Sequence, residues 1–265
     1  MKTVLEPPTF EQPVNRVSAV PLMEVRNLSK HFGGLRAVSS VSFAVEQGEI
    51  VGVIGPNGAG KTTLFALLSG FLSATRGDIL IEGTSVVGLG PNRLCHLGIA
   101  RTFQVVRPFA DMTVFENVKA GGVFGKPGKR PAREIHDEVT EILENTGLAA
   151  LANYSPPSLS LPQRKRLEVA RALATRPKLL LLDEVLAGLN PREVKEALPF
   201  IRSINEDLGV TILMIEHNLR AIMGLSHRIL VLNFGQLIFD GKPTDAVQHS
   251  GVIQAYLGSS KVAQG

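Results

Sequence analysis

The 265-residue sequence is poor in cysteine, in tryptophan and in aromatic residues generally. Cys95 is the only cysteine, so a disulfide framework and a cysteine-based zinc site are both excluded. The 6 histidines show no spacing that suits a metal site. Aromatic residues make up only 5% of the chain, which leaves no set of stacking side chains for RNA recognition.

Long apolar runs are also missing. No run approaches the roughly 20 residues needed to cross a bilayer, and residues 1–8 lack the apolar core of a signal peptide. We therefore expect a cytosolic protein that can still dock on a membrane-spanning partner. The net charge of +4 permits nucleic acid or anionic lipid as a partner, but it is typical of a mildly basic surface, and no nucleic-acid partner is expected.

A glycine-rich segment follows the apolar run Ile50–Ile54 and precedes helix-forming residues. Strand, glycine loop and helix in this order are typical of a phosphate-binding P-loop, and a plain glycine turn is the alternative. The glycines let backbone N–H groups point at phosphate oxygens. Lys61 would reach the phosphates, and Thr62 would offer its hydroxyl to Mg²⁺. The segment consists of Gly55, Pro56, Asn57, Gly58, Ala59, Gly60, Lys61, Thr62 and Thr63.

Two further apolar runs end in polar pairs. Residues 179–182 are all leucine and predict a strand buried on both faces, which delivers Asp183 and Glu184 at its carboxyl end. Ligands bind at that end of open α/β sheets. Asp183 is therefore expected to hold Mg²⁺, directly or through water, and Glu184 to orient or deprotonate the attacking water, although both could merely cap loops. Residues 210–215 predict a similar strand that delivers His217, and a lone histidine there is usually structural.

The rest of the chain predicts its division into parts. Residues 23–28 and 38–45 alternate apolar and polar residues as antiparallel strands do, with a turn at 29–34. Residues 98–104 are expected to lead out of the core, and residues 105–176 show helical spacing that predicts an inserted helical lobe. In that lobe Ser160 and Gln163 form a capping-box pattern, which opens a helix predicted to run to Arg176.

With Gln104, Ser160 to Gln163, Asp183–Glu184 and His217 in order behind the P-loop, the chain resembles an ABC transporter ATP-binding subunit over residues 22–259. The resemblance implies an α/β P-loop NTPase fold: a RecA-like core with an antiparallel β subdomain, plus an inserted α-helical subdomain. The core would comprise residues 22–104 and 177–259, and the helical subdomain residues 105–176. Residues 1–21 would form a flexible extension and residues 260–265 a tail.

The resemblance also implies roles for single residues, with ATP and Mg²⁺ as cofactors. Lys61, Glu184 and His217 would act in catalysis, and Thr62, Gln104 and Asp183 would hold the metal. Phe32 would stack on adenine, and Gln104 would also sense the transmembrane partner. Ser160 and Gln163 would meet the γ-phosphate held by an opposite subunit across an interface that includes residues 187–190.

A narrower resemblance is to the ATPases of branched-chain amino acid importers, carried by residues 101–104, 186–190 and 255–258. It implies a peripheral protein at the cytoplasmic face of the inner membrane. Its partners would be a second ABC ATPase in a hetero- or homodimer, two permease subunits and, indirectly, a solute-binding protein. An exporter, or an importer for another solute, is the alternative.

Two other classes fit the sequence less well. A regulatory GTPase would need a guanine-reading Asn-Lys-x-Asp motif, and the chain contains no Asn-Lys pair. An ABC ATPase acting on DNA or ribosomes usually carries tandem cassettes or a coiled coil, whereas this chain has one P-loop and no sustained heptads.

The family signature usually reads Leu-Ser-Gly-Gly-Gln, and here Leu161 and Pro162 replace the two glycines. Proline has no backbone N–H to donate, so one contact to the opposite subunit's phosphate would be missing. We therefore expect the composite ATP site that uses this signature to be the weaker of two.

Overall fold

The computed structural model describes residues 20–104, 107–128 and 130–262, with side chains described as far as residue 256. The predicted N-terminal extension, apart from residues 20 and 21, lies outside the described residues, as do residues 263–265 of the predicted tail. In the part that is described, no helix combines the length and apolar character needed to cross a bilayer.

The strands are β1 (Met23–Phe32), β2 (Leu35–Val45), β3 (Ile50–Ile54), β4 (Arg76–Ile81), β5 (Thr84–Ser85), β6 (Ile99–Arg101), β7 (Leu179–Asp183), β8 (Thr211–Ile215), β9 (Arg228–Asn233) and β10 (Gln236–Gly241). The α-helices are α1 (Lys61–Leu68), α2 (Pro91–His96), α3 (Val114–Phe124), α4 (Ala132–Asn145), α5 (Leu161–Leu173), α6 (Pro191–Glu206), α7 (Leu219–Leu225), α8 (Pro243–Ala246) and α9 (Ser250–Val262).

The first sheet has the order β2-β1-β4-β5 and is antiparallel throughout. The two strands predicted from alternating residues are confirmed as β1 and β2. The turn predicted at residues 29–34 is wrong for its first four positions, since β1 continues to Phe32 and pairs there with Leu35. The turn needs only two residues because Gly33 adopts a φ of 57°, which glycine tolerates at no steric cost.

The second sheet has the order β10-β9-β3-β8-β7-β6, and only the terminal hairpin of β9 and β10 is antiparallel. Strands β3, β7 and β8 are buried at every position, as their unbroken apolar sequences predict. Alternate residues of β7 pack into two different cores, since Leu180 and Leu182 face one hydrophobic cluster while Leu179 and Leu181 face the other. Cores on both faces leave the carboxyl edge of this sheet as the place for polar groups.

Strand β6 was not predicted, because residues 98–104 were expected to leave the core. Instead Ile99–Arg101 pairs in parallel with β7 and forms the edge of the second sheet. Three residues are too few to show a periodic pattern. The strand therefore depends on its long-range pairing with Leu179 to Leu181 rather than on its own sequence.

Helices α3, α4 and α5 lie between β6 and β7, and the residues described in that interval contain no strand. The helices pack through apolar faces, such as Ile135 and Val139 of α4. The predicted capping box at Ser160 and Gln163 is confirmed at the start of α5. The predicted helix end at Arg176 is wrong by three residues, since α5 ends at Leu173 and Arg176 adopts a φ of 54°.

Candidate functional site

The site lies at the carboxyl edge of the second sheet, where β3, β8 and β7 are neighbours and run parallel. Parallel strands deliver the residues that follow them to the same edge. Strand β3 leads into the P-loop, β7 ends at Asp183 before Glu184, and β8 leads to Glu216 and His217. The topology therefore brings the three predicted polar segments together, although they are far apart in sequence.

The P-loop backbone requires glycine at its first and last glycine positions. Gly55 has a φ of 152° and Gly60 a φ of 100°. A Cβ atom at Gly55 would collide with the carbonyl oxygen of Leu232, and one at Gly60 with the carbonyl oxygen of Ala37. Gly58, at a φ of 78°, has no neighbouring atom within 4 Å of its Cβ position. The loop is thus pressed against the protein at both ends and open in the middle, as a cradle for an anion should be.

Lys61 begins α1 and is only 6% exposed. Its Nζ atom donates to the carbonyl oxygens of Gly55 at 2.7 Å and Pro56 at 3.0 Å. Burial lowers the pKa of Lys61, and the carboxylate of Glu184 partly offsets this effect. The ammonium group thus closes the loop on itself, in a position from which it can reach an anion bound in the loop.

The P-loop is also held by the C-terminal helix α9. The Tyr256 hydroxyl forms a hydrogen bond with the backbone of Gly55, and burial raises the pKa of Tyr256 while that hydrogen bond lowers it. Gly55 is therefore fixed from two sides, by Tyr256 and by Lys61.

Asp183 is 3% exposed and carries an ion pair with Arg101 of β6, with 2.7 Å between Nη2 and Oδ2. Its backbone N–H donates to the hydroxyl of Thr102 at 3.1 Å. The pair forms across neighbouring strands: Arg101 lies opposite Leu181, and side chains two residues apart on a strand share a face. The carboxylate predicted to bind metal is thus partnered by a cation of the same chain.

Glu184 has a left-handed backbone with a φ of 52°, which is uncommon for a residue with a side chain. Its carboxylate accepts a hydrogen bond from Gln104 Nε2 at 2.7 Å and lies 2.9 Å from His217 Nε2. Its backbone is held as well, because its N–H donates to Ile215 and its carbonyl accepts from Lys165 Nζ at 3.1 Å. Such a strained residue, held on every side, is typical of functional sites.

Three further ionisable residues of this region are buried, namely Lys165, Glu168 and Glu216. Lys165 of α5 is 8% exposed, and burial lowers its pKa against the opposing effect of nearby carboxylates, Glu216 first. Burial raises the pKa of Glu216 to about 7, and the charge of Glu184 adds to this while the Leu186 N–H, donating at 2.8 Å, opposes it. Burial also raises the pKa of Glu168, which accepts from the Phe103 N–H at 2.9 Å. Sequence patterns gave no role to these residues.

The predicted metal ligands can be tested against the chemistry of Mg²⁺. Thr62, Gln104 and Asp183 border the same open groove, which has a volume of about 790 Å³. Their hydroxyl, amide and carboxylate oxygens are hard donors of the kind Mg²⁺ prefers, and Mg²⁺ in nucleotide sites typically takes only one or two protein ligands beside phosphate and water. In the part of the chain that the structure describes, no group of three or more His, Cys, Asp or Glu residues could hold a metal by itself. The donor set fits Mg²⁺ that arrives with a nucleotide.

The groove continues from the site onto the surface between β6 and helices α3 and α5. Its wall carries exposed aromatic side chains, although aromatic residues are scarce in this chain: Phe71, Phe103, Phe109 and Phe124.

The remaining predicted site residues make local contacts. Phe32 is 47% exposed at the end of β1, with Lys30 Nζ 5.1 Å from its ring centroid. The Ser160 hydroxyl accepts from the Gln163 N–H at 3.5 Å, and Gln163 Oε1 accepts from the Ser160 N–H at 2.9 Å. The structure thus brings together Lys61, Thr62, Gln104, Asp183, Glu184 and His217, whereas the contacts of Ser160 and Gln163 cap α5.

The chain is similar to known proteins in sequence and in structure. The sequence pattern of a family described as "ABC transporter" matches residues 38–187. The chain is 40% identical over 252 residues to the high-affinity branched-chain amino acid transport ATP-binding protein BraF of Pseudomonas aeruginosa, covering 91% of this chain and 99% of that one. It is 41% identical over 252 residues to the corresponding LivG protein of Escherichia coli, with the same coverage of each.

A solved structure is similar over nearly the whole fold. The ADP conformation of an ATP-binding cassette of an ABC transporter aligns with a TM-score of 0.79 at 32% identity, covering 89% of this chain and 98% of that chain. The predicted α/β P-loop fold is confirmed by this likeness.

Proposed function

The chain belongs to the ABC transporter family and is an ATP-hydrolysing cassette, and from this premise we propose that it energises uptake of branched-chain amino acids through membrane-embedded permease partners. The chemical part of the proposal is carried by one observation. Glu184 is fixed at the edge of the second sheet, with its carboxylate between Gln104 and His217 and its charge felt by Lys61.

In the proposed mechanism the P-loop holds the phosphates of ATP. Backbone N–H groups of residues 55–63 and the start of α1 point at phosphate oxygens, and Lys61 exchanges its two loop carbonyls for the β- and γ-phosphates. Because Lys61 is already buried, its charge acts in a medium of low dielectric constant and is strongly felt by phosphate. Phe32, half-exposed at the end of β1, stacks on the adenine ring.

Hydrolysis depends on the Glu184 carboxylate. It orients the attacking water and accepts its proton, while the His217 imidazole turns from Glu184 toward the γ-phosphate. The left-handed backbone at Glu184, held by Ile215 and Lys165, fixes where the carboxylate points. Thr62, Gln104 and Asp183 would hold Mg²⁺, which would supply positive charge to neutralise the phosphate oxygens.

The proposed partners follow from two surfaces. The signature at Ser160 and Gln163 caps α5 within this chain, which suits a role toward an ATP held by a second ABC subunit. The aromatic groove between β6 and the helices starts beside Gln104 and suits an apolar segment of a permease. Two permease subunits and, indirectly, a solute-binding protein would complete the assembly, in which this chain would lie at the cytoplasmic face of the inner membrane.

Substitution of Glu184 tests the catalytic assignment. Glu184→Gln keeps the size of the side chain and removes the base, so we expect ATP binding to remain and turnover to fall by about 100-fold or more. Glu196→Gln, on the exposed face of α6, is the matched control and should leave both unchanged. The measurements are equilibrium binding of labelled ATP and phosphate release, and near-normal phosphate release by Glu184→Gln would overturn the assignment.

The substrate requires a separate experiment, because nothing in this chain touches the transported solute. The intact membrane complex would be isolated, its subunits identified and its ATPase rate measured with solute-binding protein loaded with leucine or left empty. Stimulation by the leucine-loaded form is expected. Its absence would remove the branched-chain assignment, in favour of another solute or of export, and would leave the ATPase assignment intact.

A further inference from the structure

Arg101 is the residue through which Asp183 contacts the edge strand β6. Its side chain is 9% exposed, and Nη2 lies 2.7 Å from Asp183 Oδ2. Nη1 donates to the Ser69 hydroxyl at 3.0 Å, and Ser69 in turn donates to the carbonyl of Phe65. The third donor, Nε, is buried without a hydrogen-bond partner. The guanidinium is thus incompletely satisfied, and Asp183 is its only carboxylate partner among the residues described.

Aromatic rings surround the same guanidinium. The distance from its Cζ atom to the ring centroid is 5.3 Å for Phe103 and 5.9 Å for both Phe65 and Phe71. Phe71 and Phe103 meet edge to face with their centroids 5.4 Å apart, and both are exposed in the aromatic groove. Arg101 is therefore in contact with the predicted metal-binding carboxylate on one side and with the groove wall on the other.

Arg101 and Mg²⁺ would require the same carboxylate. Two cations on one buried carboxylate repel each other strongly where the effective dielectric constant is low. The guanidinium can move from Asp183 toward the groove, because the faces of neighbouring aromatic rings attract a cation and the groove beside them is open. A guanidinium that changes partner would shift the rings that contact it, since side chains in contact transmit small displacements.

We propose that Arg101 is a positioning residue that holds Asp183 while no metal is bound, yields that carboxylate when Mg-nucleotide binds, and passes the change to Phe71 and Phe103 in the groove. The inference rests on the proposed Mg²⁺ site. Coupling of this kind is reciprocal. If bound Mg²⁺ raises the affinity of the groove for a partner segment, that segment raises the affinity for Mg²⁺ by the same factor.

The first test measures affinity rather than turnover. Binding of a fluorescent ATP analogue to the full chain is measured once with Mg²⁺ and once in EDTA. The dissociation constant in EDTA divided by that with Mg²⁺ gives the magnesium effect. Arg101→Met removes the competing cation, so the ratio should rise by roughly fivefold or more while binding in EDTA stays the same. Arg101→Gln gives a second variant of similar length in case Met does not fold.

The control for this test is Arg107→Met, which removes the same charge from a groove residue for which the structure shows no side-chain contact with Asp183. It should leave the magnesium effect unchanged. An unchanged or smaller ratio in both Arg101 variants would overturn the proposal. A wild-type chain that binds nucleotide without any magnesium effect would overturn the proposed Mg²⁺ site and this inference together.

The second test follows the groove directly. The chain has no tryptophan, so Phe71→Trp introduces a single reporter on the groove wall. With nucleotide present, adding Mg²⁺ should change the emission of this tryptophan, and the change should be lost in the Phe71→Trp, Arg101→Met double variant. An equal change in both proteins would show that the groove responds without Arg101 and would overturn the transmission step.

Discussion

Glu184 is coupled to the buried charges of Lys165 and Glu216 and to two more exposed polar side chains. Its carbonyl accepts from Lys165, its carboxylate meets Gln104 and His217, and its charge raises the pKa of Glu216. Removing one member of such a set leaves another charge without compensation, and this costs more than the pair itself contributes. Single substitutions here should therefore change stability and pH dependence together.

Glu216 gives a pH dependence with a definite sign. Burial raises its pKa to about 7 from an ordinary value of 4.5, so between these values the folded state binds more protons than the unfolded state. Its contribution to stability is complete below pH 4.5 and is lost as the pH rises through about 7. Glu216→Gln keeps an acceptor for the Leu186 N–H without the charge. As the pH rises from 4.5 to about 7, the free energy of unfolding of this variant should therefore increase by roughly 1–3 kcal/mol relative to that of wild type.

The measurement is urea unfolding of both proteins at pH 5, 6, 7 and 8, with the exposed Glu196→Gln as control. A constant difference between Glu216→Gln and wild type across the series would show that Glu216 titrates near its ordinary value.

Elements with a sequence signature of their own were predictable, and those defined by their neighbours were not. The buried strands β7 and β8 follow from unbroken apolar runs, and the start of α5 follows from Ser160 and Gln163. Strand β6 was not predicted because three residues are too few to show a periodic hydrophobic pattern. The Arg101–Asp183 pair was hidden for the same reason, since it needs the register of β6 on β7.

The same distinction applies to the site. Lys61, Thr62 and Asp183 were predicted from local motifs, and the structure places them at one edge of the sheet. Lys165 and Tyr256 were not given roles, because a lysine in a basic helix and a tyrosine near the end of the chain look like surface residues. Their contacts with Glu184 and Gly55 span 19 residues and most of the chain, respectively.

Lys165 links the element α5 to the end of β7. Lys165→Met removes the ammonium that faces Glu216, Glu168, Glu184 and Asp183, and we expect a loss of roughly 3 kcal/mol of stability because these carboxylates lose their buried counter-charge. Lys165→Arg keeps the charge and should lose less. Urea unfolding midpoints at pH 7.5 check this, and a Met variant as stable as wild type would contradict it.

At the scale of the whole molecule, the proposed function gives the chain one half of each of two different ATP sites. In the proposed assembly its P-loop, Asp183 and Glu184 would form one half, and its signature at the start of α5 would complete the site of a partner subunit. The two halves differ in quality. The P-loop has glycine wherever its backbone requires it, whereas the signature has Leu161 and Pro162 in place of glycines.

Pro162 allows a test of that difference. It lies in the first turn of α5, where a backbone N–H has no acceptor within the helix, so the helix loses no hydrogen bond to proline. The missing N–H does remove a donor from the surface proposed to meet a partner's phosphate. Pro162→Gly and Pro162→Ala both restore the N–H, and only glycine adds backbone freedom. If the N–H limits the composite site, both variants should raise the ATPase rate of the assembled complex, toward roughly twice the original as a second site begins to contribute. A rise with glycine alone would assign the effect to flexibility, and an unchanged or lower rate with both would mean that proline does not weaken this site.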